Sequence, residues 1–233
     1  MKEFLLLLVV FGANVVQALT GFAGTLLAMP LSIKLVGVDS ARIILNFVAL
    51  FGSAYIIATD RKNINWAAIR TAAPGLLAGM LLAPVVYAAA DTETLIYVYG
   101  VVIIGISLWK MFAKVQLPMP RWAAYLLVVL AGLAQGLFAS GGPFLVVYMS
   151  THTRGKTEFR TTICAVWVLL CTIFVFQNHA SITAADLRLS AMTMVPLFFS
   201  LVLGNLIHKK ISQDKFMKIA YFLLLISGIS NFV

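Results

Sequence analysis

The chain has 233 residues, of which 62% are apolar and only 11% charged, and its formal net charge is +9. A water-soluble domain carries roughly 25% charged residues, so this composition excludes one and points to an integral membrane protein with no room for a soluble catalytic domain. The basic excess is gathered at the edges of apolar stretches, which is the pattern of cytoplasmic anchoring and not of nucleic-acid binding.

Apolar segments follow one another from Phe4 to Thr20, Gly24 to Leu35, Ser40 to Thr59, Trp66 to Ala90 and Thr94 to Phe112. They continue from Trp122 to Ala139, Pro143 to Met149, Thr157 to Gln177, Leu187 to Ile207 and Phe216 to Ile229. A helix needs roughly 20 apolar residues to cross a bilayer, so the segments beginning at Gly24 and Pro143 are too short to span it. Each follows a nearly complete helix with no charged loop between, and each opens on a glycine-rich turn: Thr20-Gly21-Phe22-Ala23-Gly24 in one case, Ser140-Gly141-Gly142-Pro143 in the other. Irregular backbone at membrane depth persists only where protein or a polar cavity covers it, so both breaks are expected near the midplane and mark candidate sites. Met1–Thr20 runs straight on into further apolar sequence and reads as a structural element rather than a cleaved signal.

Loop charges set the orientation. Arg61, Lys62 and Arg70, then Lys110, Lys114 and Arg121, then Arg154, Lys156 and Arg160, then Lys209, Lys210, Lys215 and Lys218 are assigned to the cytoplasmic side. Asp91 with Glu93, and the link from Asn178 to Arg188, are assigned outside. Both termini then lie outside, provided that each short segment returns to the face its preceding helix came from.

Shifting the sequence by 118 positions places Gln17 on Gln135, Gly24 on Gly142, Gly37 on Gly155 and Arg42 on Arg160. Matches of this kind at one constant offset predict an all-α polytopic membrane protein built from two inverted-topology repeats, residues 1–115 and 116–233. Each repeat has a broken or re-entrant helix pair (4–35 and 122–150) followed by three full crossings (40–59, 66–90 and 94–112, then 157–177, 187–207 and 214–231). Three crossings is an odd number, so the second repeat enters the membrane upside down.

A helix that starts inside the bilayer offers unpaired backbone N–H groups and the positive end of its dipole, a combination suited to an anion. Gly24 with Thr25, and Gly142 with Pro143, are expected to begin such helices, with Gly21 and Gly141 easing the turn. Gln17 and Gln135 each stand seven residues ahead of the glycine that opens the short helix, where their amides either donate to an oxyanion or join helices together. Thr20 and Ser140 add hydroxyl donors. Arg42 and Arg160, related by the repeat, either attract an anion at the entrances or snorkel to headgroups.

All eight acidic residues fall in or near links, which leaves no carboxylate relay in mid-crossing. His152, His179 and His208 are scattered and suggest no metal site, and Cys164 with Cys171 read as reduced core residues. No nucleotide-binding glycine loop or activated nucleophile appears, so the sequence predicts neither an enzyme nor a cofactor.

The stretches Thr20-Gly21-Phe22-Ala23-Gly24-Thr25-Leu26-Leu27-Ala28-Met29-Pro30 and Gly136-Leu137-Phe138-Ala139-Ser140-Gly141-Gly142-Pro143 resemble the sulfite exporter TauE/SafE family over nearly the whole chain. The resemblance implies a carrier of sulfite, organosulfonates or related small organic anions across the cytoplasmic membrane, with the glycine-rich breaks as its recognisable motif. Ala23, Ser140 and Tyr148 depart from that motif, which leaves the substrate less defined than the transport of an anion. The expected partners are a small anionic substrate, membrane lipids and a proton or sodium coupling ion; an anion channel and a non-transporting structural membrane protein are the alternative readings.

Overall fold

The computed structural model describes residues 2–89, 97, 100–101, 104–105, 108, 120–139 and 141–230. These residues are helical apart from short connections. The helices are α1 (Lys2–Thr20), α2 (Ala23–Val36), α3 (Val38–Asp60), α4 (Trp66–Ala89), α5 (Arg121–Phe138), α6 (Gly142–His152), α7 (Lys156–Asn178), α8 (Ala184–Lys210) and α9 (Gln213–Ser230). Two short 3-10 turns, Arg61–Asn63 and His179–Ser181, follow α3 and α7. The expected crossing from Thr94 to Phe112 falls largely outside the described residues, as does the Asp91–Glu93 link.

Among the described residues, five helical stretches are long and apolar enough to cross a membrane: Lys2–Thr20, Val38–Asn63, Trp66–Val86, Lys156–Ser181 and Ala184–Lys210. The protein is therefore an all-α polytopic membrane protein. α2 has 14 residues and α6 has 11. At 1.5 Å per residue these reach about 21 and 17 Å, short of a hydrocarbon core of about 30 Å.

The chain divides into two compact units that interleave the sequence halves. One contains residues 1–66 and 157–211, and the other residues 67–156 and 212–233. The first unit thus holds α1, α2, α3, α7 and α8. Glu3 pairs with Arg188 at 2.8 Å at one end of α1 and α8, and His208 bonds the Leu19 carbonyl at 3.0 Å at the other, so the two helices run parallel. They approach closely enough that a Cβ on Gly204 would stand 2.5 Å from the Ala18 Cβ and 2.6 Å from the Val15 carbonyl. Small residues of this kind let helix backbones touch in a membrane.

α3 and α7 run antiparallel. The Arg42 guanidinium sits 5.4 Å from the Phe174 ring centre, and Asn46 donates to the Cys171 carbonyl at 3.1 Å. At the far end Asp60 pairs with Arg160, and Asn65 donates to Glu158 at 2.8 Å. Both α1 and α3 therefore travel from the Glu3–Arg42 end toward the Asp60 end. α2 carries the chain back between them. Gly37, with φ of +86°, makes the turn: its N–H closes α2 onto Ile33 and its carbonyl opens α3 by accepting from Ala41.

The second unit holds α4, α5, α6 and α9. α4 carries Gly75 and Gly79 and α5 carries Gly132 and Gly136, a four-residue spacing on each helix. A Cβ on Gly79 would collide with the Val129 carbonyl, one on Gly132 with that of Leu76, and one on Gly136 with Ala83. The contacts advance together along both helices, so α4 and α5 are parallel and backbone-to-backbone.

Candidate functional site

The first break lies in the first unit. α1 ends after Thr20 because Gly21 turns the chain with φ of +88°, a conformation that costs any L side chain about 1–2 kcal/mol. Space forbids a side chain as well: a Cβ here would stand 3.0 Å from the Arg160 carbonyl oxygen and 3.2 Å from its Cγ. Phe22 follows, and α2 starts at Ala23.

Gln17 bridges the break. Its Oε1 accepts from the Gly24 backbone N–H at 2.8 Å, and its Nε2 donates to the Gly21 carbonyl at 3.3 Å. The Thr20 hydroxyl donates back to the Val16 carbonyl at 2.8 Å and accepts from the Phe22 and Ala23 N–H groups at 3.4 Å. The sequence leads one to expect open amides here; those of Phe22, Ala23 and Gly24 are held by Gln17 and Thr20, which end the preceding helix. Gly24 admits this cap, since a Cβ on it would stand 2.6 Å from the Gln17 Cβ. Thr25, the remaining predicted donor of this segment, is half-buried in the first turn of α2.

The carbonyl side of the break is held from α7 and α8. Arg160 Nη1 donates to the Ala18 carbonyl at 2.8 Å, His208 Nδ1 meets that of Leu19 at 3.0 Å, and Trp167 Nε1 donates to that of Gly21 at 2.9 Å. The Arg160 cation at this terminus also complements the negative end of the α1 dipole. Arg160 Nη2 reaches Asp60 Oδ2 and the Asn205 Oδ1, the latter at 3.1 Å. These contacts set the break beside α7 from Arg160 to Trp167 and beside the last turn of α8.

The second break lies in the second unit and uses a related device. α5 ends at Phe138, and Ala139 adopts the left-handed region with φ of +50° while its N–H closes on Gln135 and Ala134 carbonyls. Gln135 Oε1 accepts from the Gly141 N–H at 3.2 Å. Pro143 occupies the first turn of α6, where no N–H is needed. A Cβ on Gly141 would collide with the Ala131 carbonyl, so this glycine admits α5 itself. Gly142 is buried at the helix start. Ser140 lies outside the described residues.

The two arginines are not equivalent in the structure. Arg42 is half-buried beside Phe174 near the start of α3. Arg160 is buried, with a side chain 1% exposed, and pairs with Asp60. Sequence reading did not associate Asp60 with Arg160 because a hundred residues separate them; the one signal was that each ends or begins a crossing on the same predicted side. Cys164 and Cys171 are buried and free, as expected of core residues.

The sequence pattern of the sulfite exporter TauE/SafE family matches residues 6–231. The chain is also similar to the "Probable inner membrane transporter protein TsaS" of Comamonas testosteroni, with 24% identity over 175 residues that cover 72% of this chain and 73% of that protein. No solved structure matches.

Proposed function

The chain belongs to the sulfite exporter TauE/SafE family, and from that premise we propose that this transporter carries a small anion such as sulfite, an organosulfonate or a related carboxylate across the cytoplasmic membrane by alternating access. The observation that carries this reading is the paired glutamine caps: the repeat-related Gln17 and Gln135 each accept from a backbone amide just past the break, that of Gly24 in one case and of Gly141 in the other. Each cap holds a buried backbone amide with a neutral side chain that also owns two N–H donors. When an anion enters, an oxygen of the anion replaces the glutamine oxygen at the amide, and the glutamine turns its NH2 group toward the same anion. Gln17, Thr20, Gly21, Gly24 and Thr25 at one break, and Gln135, Ser140, Gly141, Gly142 and Pro143 at the other, then line the binding groups. The helix N-termini supply the electropositive field.

Packing within each unit supports the inverted repeat. α3 and α7 are related by the 118-residue shift, have 23 residues each, and pack antiparallel. α1 lies parallel to α8 through Ala18 and Gly204, and α5 lies parallel to α4 through Gly136 and Ala83. Under the shift Ala18 becomes Gly136. Each broken helix thus takes the same kind of neighbour, the second full crossing of the other half.

The test is countertransport in proteoliposomes loaded with sulfite, methanesulfonate, ethanesulfonate or acetate. Saturable exchange of at least one of these, reduced several-fold by Gln135→Glu with folded yield retained, is the expected result. Flux that rises linearly with concentration and shows no exchange would assign a channel, and no selective flux at all would remove the carrier reading.

A further inference from the structure

Arg160 is the largest fully buried side chain in the described residues, and its ion partner is not buried: the Asp60 side chain is 27% exposed, against 1% for Arg160. The guanidinium has five N–H donors. Nη1 holds the Ala18 carbonyl and Nη2 holds Asp60 and Asn205, while Nε is buried with no hydrogen-bond partner among the described residues. The aliphatic stem that carries Nε lies against Gly21, at the break itself. A buried cation with an unused donor at a helix break, balanced by a partly exposed carboxylate at the Arg61–Lys62 end of α3, has the parts for an exchange of counterions.

We infer that Asp60 is the proton-coupling group of the carrier: an entering anion takes Asp60's place as the counterion of Arg160, and the released carboxylate binds a proton from the water at its exposed edge. This rests on the anion-carrier reading above and adds the coupling ion to it. A buried guanidinium does not stay uncompensated, and two anions around it would leave an excess negative charge in a poorly solvating place. Protonation of the released carboxylate removes that excess charge. The step balances: a carboxylate and a proton become a carboxylic acid, no other bond forms or breaks, and one monoanion with one proton leaves the net charge of the site unchanged.

The charged and titratable groups around Asp60 are compatible with this. Arg160 faces it from α7, and Arg61 and Lys62 follow it as exposed residues in its own turn. Glu158 on α7 accepts from Asn65. His208 on α8 has Nδ1 against the Leu19 carbonyl, which only accepts, so Nδ1 carries the hydrogen; Nε2 faces the Thr157 hydroxyl at 3.4 Å. Lys209 and Lys210 lie exposed beyond it.

Methanesulfonate is the probe, because it carries no titratable proton of its own near neutrality and any proton that moves belongs to the protein. Added to the purified full-length protein in weak buffer, it is expected to drive the uptake of about one proton per anion bound, and its affinity should rise as pH falls, by at most about tenfold per pH unit. Asp60→Asn keeps an oxygen for Arg160 but cannot titrate, so it should bind methanesulfonate with no pH dependence and exchange it without moving protons. Asp60→Glu should restore the dependence. Binding by the wild type with no proton uptake overturns the inference and leaves the carrier standing. Proton-coupled flux surviving in Asp60→Asn does the same. If Asp60→Asn fails to fold, the wild-type proton count decides alone. An absence of both binding and exchange by the wild type for every anion of the panel would instead remove the carrier reading itself.

Discussion

The side-chain oxygen of Gln17 lies 2.8 Å from the backbone nitrogen of Gly24, so the residue that closes one helix also caps the next. Gln135 makes the same kind of contact to Gly141 at 3.2 Å. Leucine at either position keeps the bulk but leaves a buried N–H without an acceptor, a loss of about 1–3 kcal/mol. Gln17→Leu should lower the unfolding temperature in detergent more than Gln135→Leu, because Gln17 also serves the Gly21 carbonyl. Equal or reversed effects would show that the caps do not hold the breaks.

Gly21 and Gly12 separate a glycine that the structure needs from one that it does not. Gly21→Ala incurs the left-handed penalty of about 1–2 kcal/mol, and its methyl also meets the Arg160 backbone. Gly12 lies inside α1 with nothing within 4 Å of a built Cβ. Alanine there should stabilise the helix by about 0.5–1 kcal/mol. Thermal unfolding of the two variants should therefore shift in opposite directions, and a neutral Gly21→Ala would refute the geometry assigned to the first break.

Much of the fold is legible from apolar length alone. Segments read as Gly24–Leu35 and Trp122–Ala139 became α2 (Ala23–Val36) and α5 (Arg121–Phe138), because charge and glycine punctuation fix where a helix can leave the membrane. The glutamines and glycines of the breaks were legible as a pattern, yet their pairing was not. Whether Gln17 faces a ligand or folds onto Gly24 depends on the φ of Gly21, which the sequence permits without dictating. The clasp of Arg160, His208 and Trp167 on α1 was illegible for another reason. It joins residues more than 140 positions apart, and only the close packing of Ala18 against Gly204 brings their helices to the break.

Gly79 and Gly132 make a similar long-range choice in the second unit. A side chain on either would have to enter the backbone of the facing helix, against the Val129 carbonyl for Gly79 and the Leu76 carbonyl for Gly132. No rotamer avoids this, since the collision is with the Cβ itself. Gly79→Leu and Gly132→Leu should each sharply reduce the yield of folded protein. Gly105→Ala, exposed and with open space around it, should not. Normal yield and monodispersity for both leucine variants would mean that α4 and α5 do not cross at these residues.

The returning course of α2 predicts which loops share a side. Asp39 follows α2 and lies exposed at the end where Arg42 meets Phe174, while Lys62 lies exposed just past the opposite end of α3 and Lys209 in the last turn of α8. The native thiols Cys164 and Cys171 are 0% and 1% exposed, so neither should react with a membrane-impermeant maleimide and the natural sequence serves as background. In intact cells Asp39→Cys should be labelled, whereas Lys62→Cys and Lys209→Cys should require lysis, because basic clusters are retained in the cytoplasm. A helix of 14 residues that returns the chain puts Asp39 on the side of Glu3, whereas one that carried on across would put it on the opposite side. Unlike labelling of Glu3→Cys and Asp39→Cys in intact cells would therefore exclude the return, and like labelling of Asp39→Cys and Lys62→Cys would exclude α3 as a full crossing.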